Sequence, residues 1–195
     1  MNQAKSERRA APRQRMTKTR DSLCQSLLTL LEQNTFEQIT IRELTTHAKV
    51  GYATFFRHYA DKEELLHELV EQEIRRLLTM SLPLLYTENT LASTQALCSY
   101  VWEHRKLWKT LLTGGAAATV KEEYLKQALK VAEEDTHTGN WLPVDLAVTF
   151  SVTGINEILT WWLKQDKPAP VDEVAEMINR LVIAPVYAQS KELPN

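Results

Sequence analysis

Apolar residues recur along this chain at three- and four-residue spacing, and no alternating run of β-branched residues persists beyond a few positions. That period belongs to amphipathic helices and predicts an all-α protein of about nine helices. Leu23, Leu27, Leu28 and Leu31 mark one face of a first helix over about 16–33, with Asn34 as its stop. Thr40 followed by Glu43 is a capping box, so a short second helix starts at Ile41 and ends at Ala48 or Lys49. Val50-Gly51 reads as a turn and residues 52–58 as a third helix. Asp61 caps a long helix over about 62–80, whose first turn holds Glu63 and Glu64 against the dipole. Pro83 ends it. Further helices are expected at about 89–103, 104–112, 116–135, 143–164 and 172–189, punctuated by Gly114-Gly115, Gly139 with Pro143, and Pro168 with Pro170. The expected organisation is a basic flexible arm at 1–15, a helix-turn-helix domain at 16–60 with its motif at about 39–58, a connecting helix at 61–80, and a helical domain at 81–195.

Charge changes this picture at one end only. The net charge is −2, yet residues 1–20 carry seven basic side chains against Glu7 alone, while the rest of the chain carries sixteen basic against twenty-four acidic. Such an arm can neutralise phosphates, or serve as a solubilising tail. Both readings stay open at this point.

Candidate chemistry narrows the function mainly by exclusion. Cys24 and Cys98 match no zinc or redox spacing, and reduced thiols in a cytoplasmic protein are expected. Without an apolar run of eighteen residues or a signal-peptide pattern, no membrane association is expected. His47, His58, His67, His104 and His137 share no metal-ligand spacing, and Glu133, Glu134 and Asp135 read as a solvated helix end. With no Gly-rich phosphate loop, His-Glu-x-x-His or Gly-x-Ser-x-Gly, the chain is not expected to be an enzyme or to hold a cofactor or metal.

The informative block is Ile39 to Leu66. Ile41, Leu44 and Ala48 turn one face of the second helix inward, leaving Arg42 and Thr45 outside. In the third helix Phe55 and Tyr59 plug a small core with Val50, and Tyr52, Ala53, Thr54, Phe56, Arg57 and His58 lie on or near the other side. Those residue types suit a major groove: Tyr52 donates or accepts, Ala53 and the Thr54 methyl fit thymine methyls, and Arg42, Arg57, His58 and Lys62 can hold phosphates. The first turns of the second and fourth helices would add N–H donors. Periodicity alone also permits a plain three-helix core with an aromatic plug.

Ile39, Thr40, Arg42, Leu44, Ala48, Val50, Thr54, Phe55, His58, Tyr59, Lys62, Leu65 and Leu66 together resemble the N-terminal domain of the TetR family of regulators. The resemblance implies DNA binding through Thr40, Arg42, Gly51, Tyr52, Ala53, Thr54, Phe56, Arg57, His58 and Lys62. Lys49 stands where the family usually has Gly, Gly51 where Ser is common, and Phe56 where a Tyr usually bonds phosphate. Losing that bond should cost about 0.5–1.5 kcal/mol.

Residues after Met80 resemble the family's variable half more loosely, in Glu103–Gly115, Gly154–Lys164 and Pro170–Met177. That implies a homodimer on a palindromic double-stranded operator, its last two helices bundled with the same pair of a second subunit. Leu146, Phe150, Thr153, Glu157, Thr160 and Trp161 form one strip, and Val174, Met177, Ile178, Leu181, Val182 and Pro185 another. Phe150, Glu157, Trp161, Val174, Ile178 and Leu181 are the expected interface, although such strips can also pack internally. Candidate pocket walls are Leu78, Leu82, Tyr86, Cys98, Trp102, Trp108, Tyr124, Leu125, Leu129 and Phe150, an apolar and aromatic set suited to a small apolar or aromatic effector, or to filling a core. The expected function is a repressor that such a ligand releases from DNA. The alternative keeps the fold but places it under a protein partner, or in chromosome organisation, with no small ligand.

Overall fold

The computed structural model describes the backbone of residues 3–85, 89–134 and 141–187, with side chains over 16–82, 89–134 and 141–187. Helices follow one another as α1 (Gln3–Leu31), a 3-10 turn (Phe36–Gln38), α2 (Ile41–His47), α3 (Tyr52–Phe55), α4 (Lys62–Leu85), α5 (Thr90–Glu103), α6 (Arg105–Thr113), α7 (Ala117–Glu134), α8 (Val144–Lys164), α9 (Val171–Ile178), a π turn (Asn179–Ile183) and α10 (Ala184–Tyr187). The described residues hold no strand, and the all-α expectation stands. α1 starts at Gln3, so the backbone of the segment expected as a flexible arm is helical from that residue. Tyr86 lies outside the described residues.

The chain divides into two compact units, residues 1–69 and 70–195. In the first, Leu23, Leu27 and Leu31 of α1 share their core with Leu44 of α2, Phe55 of α3, Tyr59, and Leu65 and Leu69 of α4, all buried. Side-chain periodicity places them there: α1 packs against α2, and α2 against α3. The capping box begins α2 as expected, with Thr40 Oγ1 accepting from the Glu43 backbone N–H at 3.2 Å and Glu43 Oε2 accepting from the Thr40 N–H at 2.8 Å.

In the second unit α8 packs against α6 and α7, and α5 against α9. α8 and the π turn approach closely at Gly154, where a Cβ would come within 2.8 Å of the Val182 side chain. Trp102 stacks on Trp162 at 5.0 Å, and the Trp162 indole N–H donates to the Ala169 carbonyl at 2.8 Å. The buried Glu73 carboxylate accepts from the Tyr100 hydroxyl at 2.5 Å and from Arg76 at 2.7 Å, so its charge is compensated.

The last expected helix, 172–189, is interrupted. Pro185 has no N–H for the Leu181 carbonyl four residues back, and the backbone slips to a wider turn in which the Ala184 N–H bonds the Asn179 carbonyl, five residues back. A π residue advances less than the roughly 100° of an α residue, so side chains beyond Ile178 lag behind their α positions. Leu181 rotates out to 64% exposure while Val182, Ile183 and Val186 turn in.

Cys24 and Cys98 are free and buried. Burial pushes both thiols up to about 12 from an ordinary value of 9.0. Native protein at about pH 8 should therefore resist a thiol reagent such as DTNB under conditions in which urea-unfolded protein releases two equivalents. A thiol whose folded value is raised stabilises the fold fully below its unfolded value. The stability is lost as pH climbs from about 9 toward about 12, and falling urea midpoints across that window are the expected result.

Candidate nucleic-acid interface

α3 is a single turn of helix, and its orientation comes from the side chains beneath it. Phe55 is fully buried, and Tyr59, tilted against it at 5.6 Å, directs its hydroxyl to Glu68 Oε2 at 2.9 Å. Arg20 Nε donates to the same oxygen at 2.9 Å, and the guanidinium lies 5.5 Å from the centre of the Tyr59 ring. Burial first, then the neighbouring Cys24 and Glu68, hold the Tyr59 phenol far above its usual range, so it remains a donor. α1 also pins the end of α2: the Ser22 hydroxyl donates to the Ala48 carbonyl at 3.0 Å, and His47 Nδ1 lies 3.0 Å from Ser26 Oγ.

What remains outside is the face expected to meet a groove. Gly51, Tyr52, Ala53, Phe56 and Arg57 are exposed, and Thr54 and His58 half-buried. Arg42 and Thr40 are exposed at the start of α2. Arg57 donates to Thr54 Oγ1 at 3.1 Å, which ties these two expected contacts together. The third helix is shorter than expected: α3 ends at Phe55, and Phe56 to His58 continue as turns.

Four expectations change. Thr45 faces inward, not outward; it is 4% exposed, and its hydroxyl donates to the Arg42 carbonyl at 3.1 Å. Lys62, expected to hold a phosphate, is half-buried over the Phe36 ring and donates to the carbonyls of Phe36, Glu37 and Ile39 at 3.0, 3.3 and 3.1 Å. Its ammonium thus closes the end of the 3-10 turn, adding to the Ile39 N–H that the Phe36 carbonyl already accepts. Thr40 is engaged with Glu43, whose carboxyl those backbone and side-chain hydrogen bonds hold below its usual range. The helix-start donors expected for phosphates are partly taken, since the Glu43 and Glu64 N–H groups bond Thr40 and Asp61.

The other two sets of expected residues also divide. Phe150, Glu157, Trp161 and Leu181 are exposed, but Val174 and Ile178 are 0% exposed and belong to the core of their unit. Among the pocket candidates, Leu78, Cys98, Trp108 and Tyr124 are buried and Leu82, Trp102, Leu125 and Leu129 half-buried. Cys98 and Tyr187 lie near enough to Tyr124 to add to the upward push that burial gives its phenol. Phe150, expected both in the pocket and at the interface, is half exposed.

Periodicity gave no sign of Arg20, Glu68, Ser22 or Ser26 as residues that set the recognition element, because their partners are distant in sequence. Lys49 carried a signal. It has φ +56°, the left-handed value for which glycine is the ordinary solution. That conformation costs a residue with a Cβ about 1–2 kcal/mol, of which glycine's extra chain entropy cancels about 0.5–1. Lys49→Gly should raise the unfolding free energy by a net of about 0.5–1 kcal/mol in urea titration. A loss of stability would mean that the lysine makes compensating contacts.

Residues 26–69 match the family model described as bacterial regulatory proteins, tetR family. The Bacillus subtilis (strain 168) protein YxbF, an uncharacterized HTH-type transcriptional regulator, is 37% identical over 59 residues, which are 30% of this chain and only 16% of that relative's length. Among solved structures, a TetR transcriptional regulator from Streptococcus agalactiae 2603V matches with a TM-score of 0.63 at 22% identity, covering 89% of this chain and 98% of that one. RolR in complex with resorcinol matches at 0.61 and 22% identity, covering 93% and 98%. The two findings bear on different parts of the molecule: residues 26–69 are similar to the N-terminal domain of tetR-family regulatory proteins, and the fold along most of the chain is like that of these solved structures.

Proposed function

We propose that this protein is a sequence-specific DNA-binding transcription regulator, a homodimeric repressor that a small ligand releases from a palindromic operator. The observation that carries the reading is the outward face of α3, where Tyr52, Ala53, Phe56 and Arg57 stand exposed on a frame whose inward side chains are fully engaged. A protruding helix N-terminus with one cation beside it is what a major groove admits. Arg42 and Arg57 supply phosphate contacts, and Lys49 a third exposed cation.

Dimerisation is supported by the surface of the second unit. Val144, Leu146, Phe150 and Trp161 on α8, together with Leu181 on the π turn, are 46–64% exposed, apolar surface that a second subunit would cover. Two recognition helices in successive major grooves stand about 34–36 Å apart. A ligand favouring a different spacing would shift the dimer away from DNA, and DNA would weaken the ligand reciprocally. Cys98, Trp108 and Tyr124 supply an apolar and aromatic environment for it. Among the described residues the buried Trp108 Nε1 and Asn156 Nδ2 have no hydrogen-bond partner, which favours an aromatic ligand bearing an acceptor oxygen. RolR, of similar fold, was crystallised with resorcinol.

Selection of bound DNA from a random-sequence library should return a palindrome with half-sites one helical turn apart. Recovery of non-palindromic or random sequence would overturn the proposal. Trp161→Glu should convert the dimer to monomer in sedimentation without lowering the helical content. In a two-fold interface each substitution counts twice, so about 3 kcal/mol and a hundredfold loss in association are expected.

A further inference from the structure

The outward face of α3 carries a feature that phosphate binding does not require. Tyr52 and Phe56, four residues apart, project on the same side, with ring centroids 5.3 Å apart and planes at 67°. Both remain substantially in water, 55% and 48% exposed, so the edge-to-face pair forms a ridge beyond the helix backbone. Phe56 also meets Phe55 edge-on at 5.4 Å, which anchors the ridge to a fully buried ring. The exposed methyl of Ala53 lies beside it. Apart from the Tyr52 phenol itself, the hydroxyl on this turn is that of Thr54, which already receives a hydrogen bond from Arg57.

An apolar ridge distinguishes base edges by what it leaves unsatisfied. In the major groove, cytosine presents an amino donor, guanine two acceptors, and adenine a donor and an acceptor, each of which would lose water against an aromatic ring and gain no partner. Thymine presents an O4 acceptor too, but it alone adds a methyl group, which gains by contact with a ring. We infer that the Tyr52–Phe56 ridge reads thymine C5-methyl groups, making Phe56 a specificity-determining residue of the operator complex. This rests on the proposal that α3 enters the major groove, and adds to it the base chemistry that α3 selects. Phe56, with no hydroxyl for a phosphate, then acts through its ring.

The test uses the full chain and the operator recovered by selection, at one fixed salt concentration. Each thymine is replaced in turn by deoxyuridine, which removes only the methyl. At one or more positions per half-site the wild type should bind the deoxyuridine operator about fourfold more weakly, the equivalent of about 0.8 kcal/mol for one buried carbon. Phe56→Ala should bind the two operators equally. Tyr52→Phe should keep the discrimination, because it keeps the ring, and Tyr52→Ala should reduce it. Melting curves establish that each variant is folded. Equal wild-type affinity for both operators at every thymine would overturn the inference while leaving DNA binding intact, as would full discrimination by folded Phe56→Ala. Failure of the wild type to select any sequence would overturn the DNA-binding proposal and the ridge with it.

Discussion

A helix of four residues cannot hold itself together, and the first unit depends on how that problem is solved. One turn fixes several dihedrals for one or two hydrogen bonds, so nucleation cost exceeds what α3 can recover alone. The compensation lies below it. Phe55 fills the centre of the unit, and Tyr59 buries its ring while its hydroxyl finds Glu68. A buried phenol without a partner would cost about 1–3 kcal/mol, and the carboxylate that prevents this is itself neutralised by Arg20. Residues from α1, α4 and the segment after α3 thus meet at one oxygen, and the recognition turn takes its direction from that meeting.

The same economy explains which polar groups remain outside. Lys62 is occupied by three carbonyls, Thr40 and Glu43 by each other, and Thr54 by Arg57. Each engagement satisfies backbone or side-chain groups that a short helix leaves unpaired. The face left to a partner is small, partly aromatic and cationic at its edges, a composition in which charge supplies attraction and shape supplies selectivity.

Much of this was legible in the chain because local chemistry and tertiary packing agree there. Thr40 with Glu43 announced the start of α2, and Phe55 with Tyr59 announced the plug, since capping and i, i+4 spacing act over a few residues. The all-α fold followed from the same period. Lys62 was misread because a lysine near a helix start looks like a phosphate ligand until the carbonyls of Phe36, Glu37 and Ile39 are seen to converge on it. Thr45 was misread because its hydroxyl can fold back on Arg42 and enter the core. Val174 and Ile178 were assigned to a surface because an amphipathic strip does not say whether its partner is the same chain or another.

The π turn bears on how other chains are compared with this one. Counting by fours from Val174 and Ile178 still reaches Val182 and Val186, both buried, but the count by threes points at Leu181, which faces solvent, and the strip of the sequence passes over Ile183, which is buried. A residue-by-residue correspondence carried through Pro185 from a relative with an uninterrupted last helix would therefore keep the letters in register and misplace side chains such as Leu181 and Ile183. Surfaces inferred by homology for this end of the molecule have to be transferred by angle around the helix axis, with one proline setting the offset.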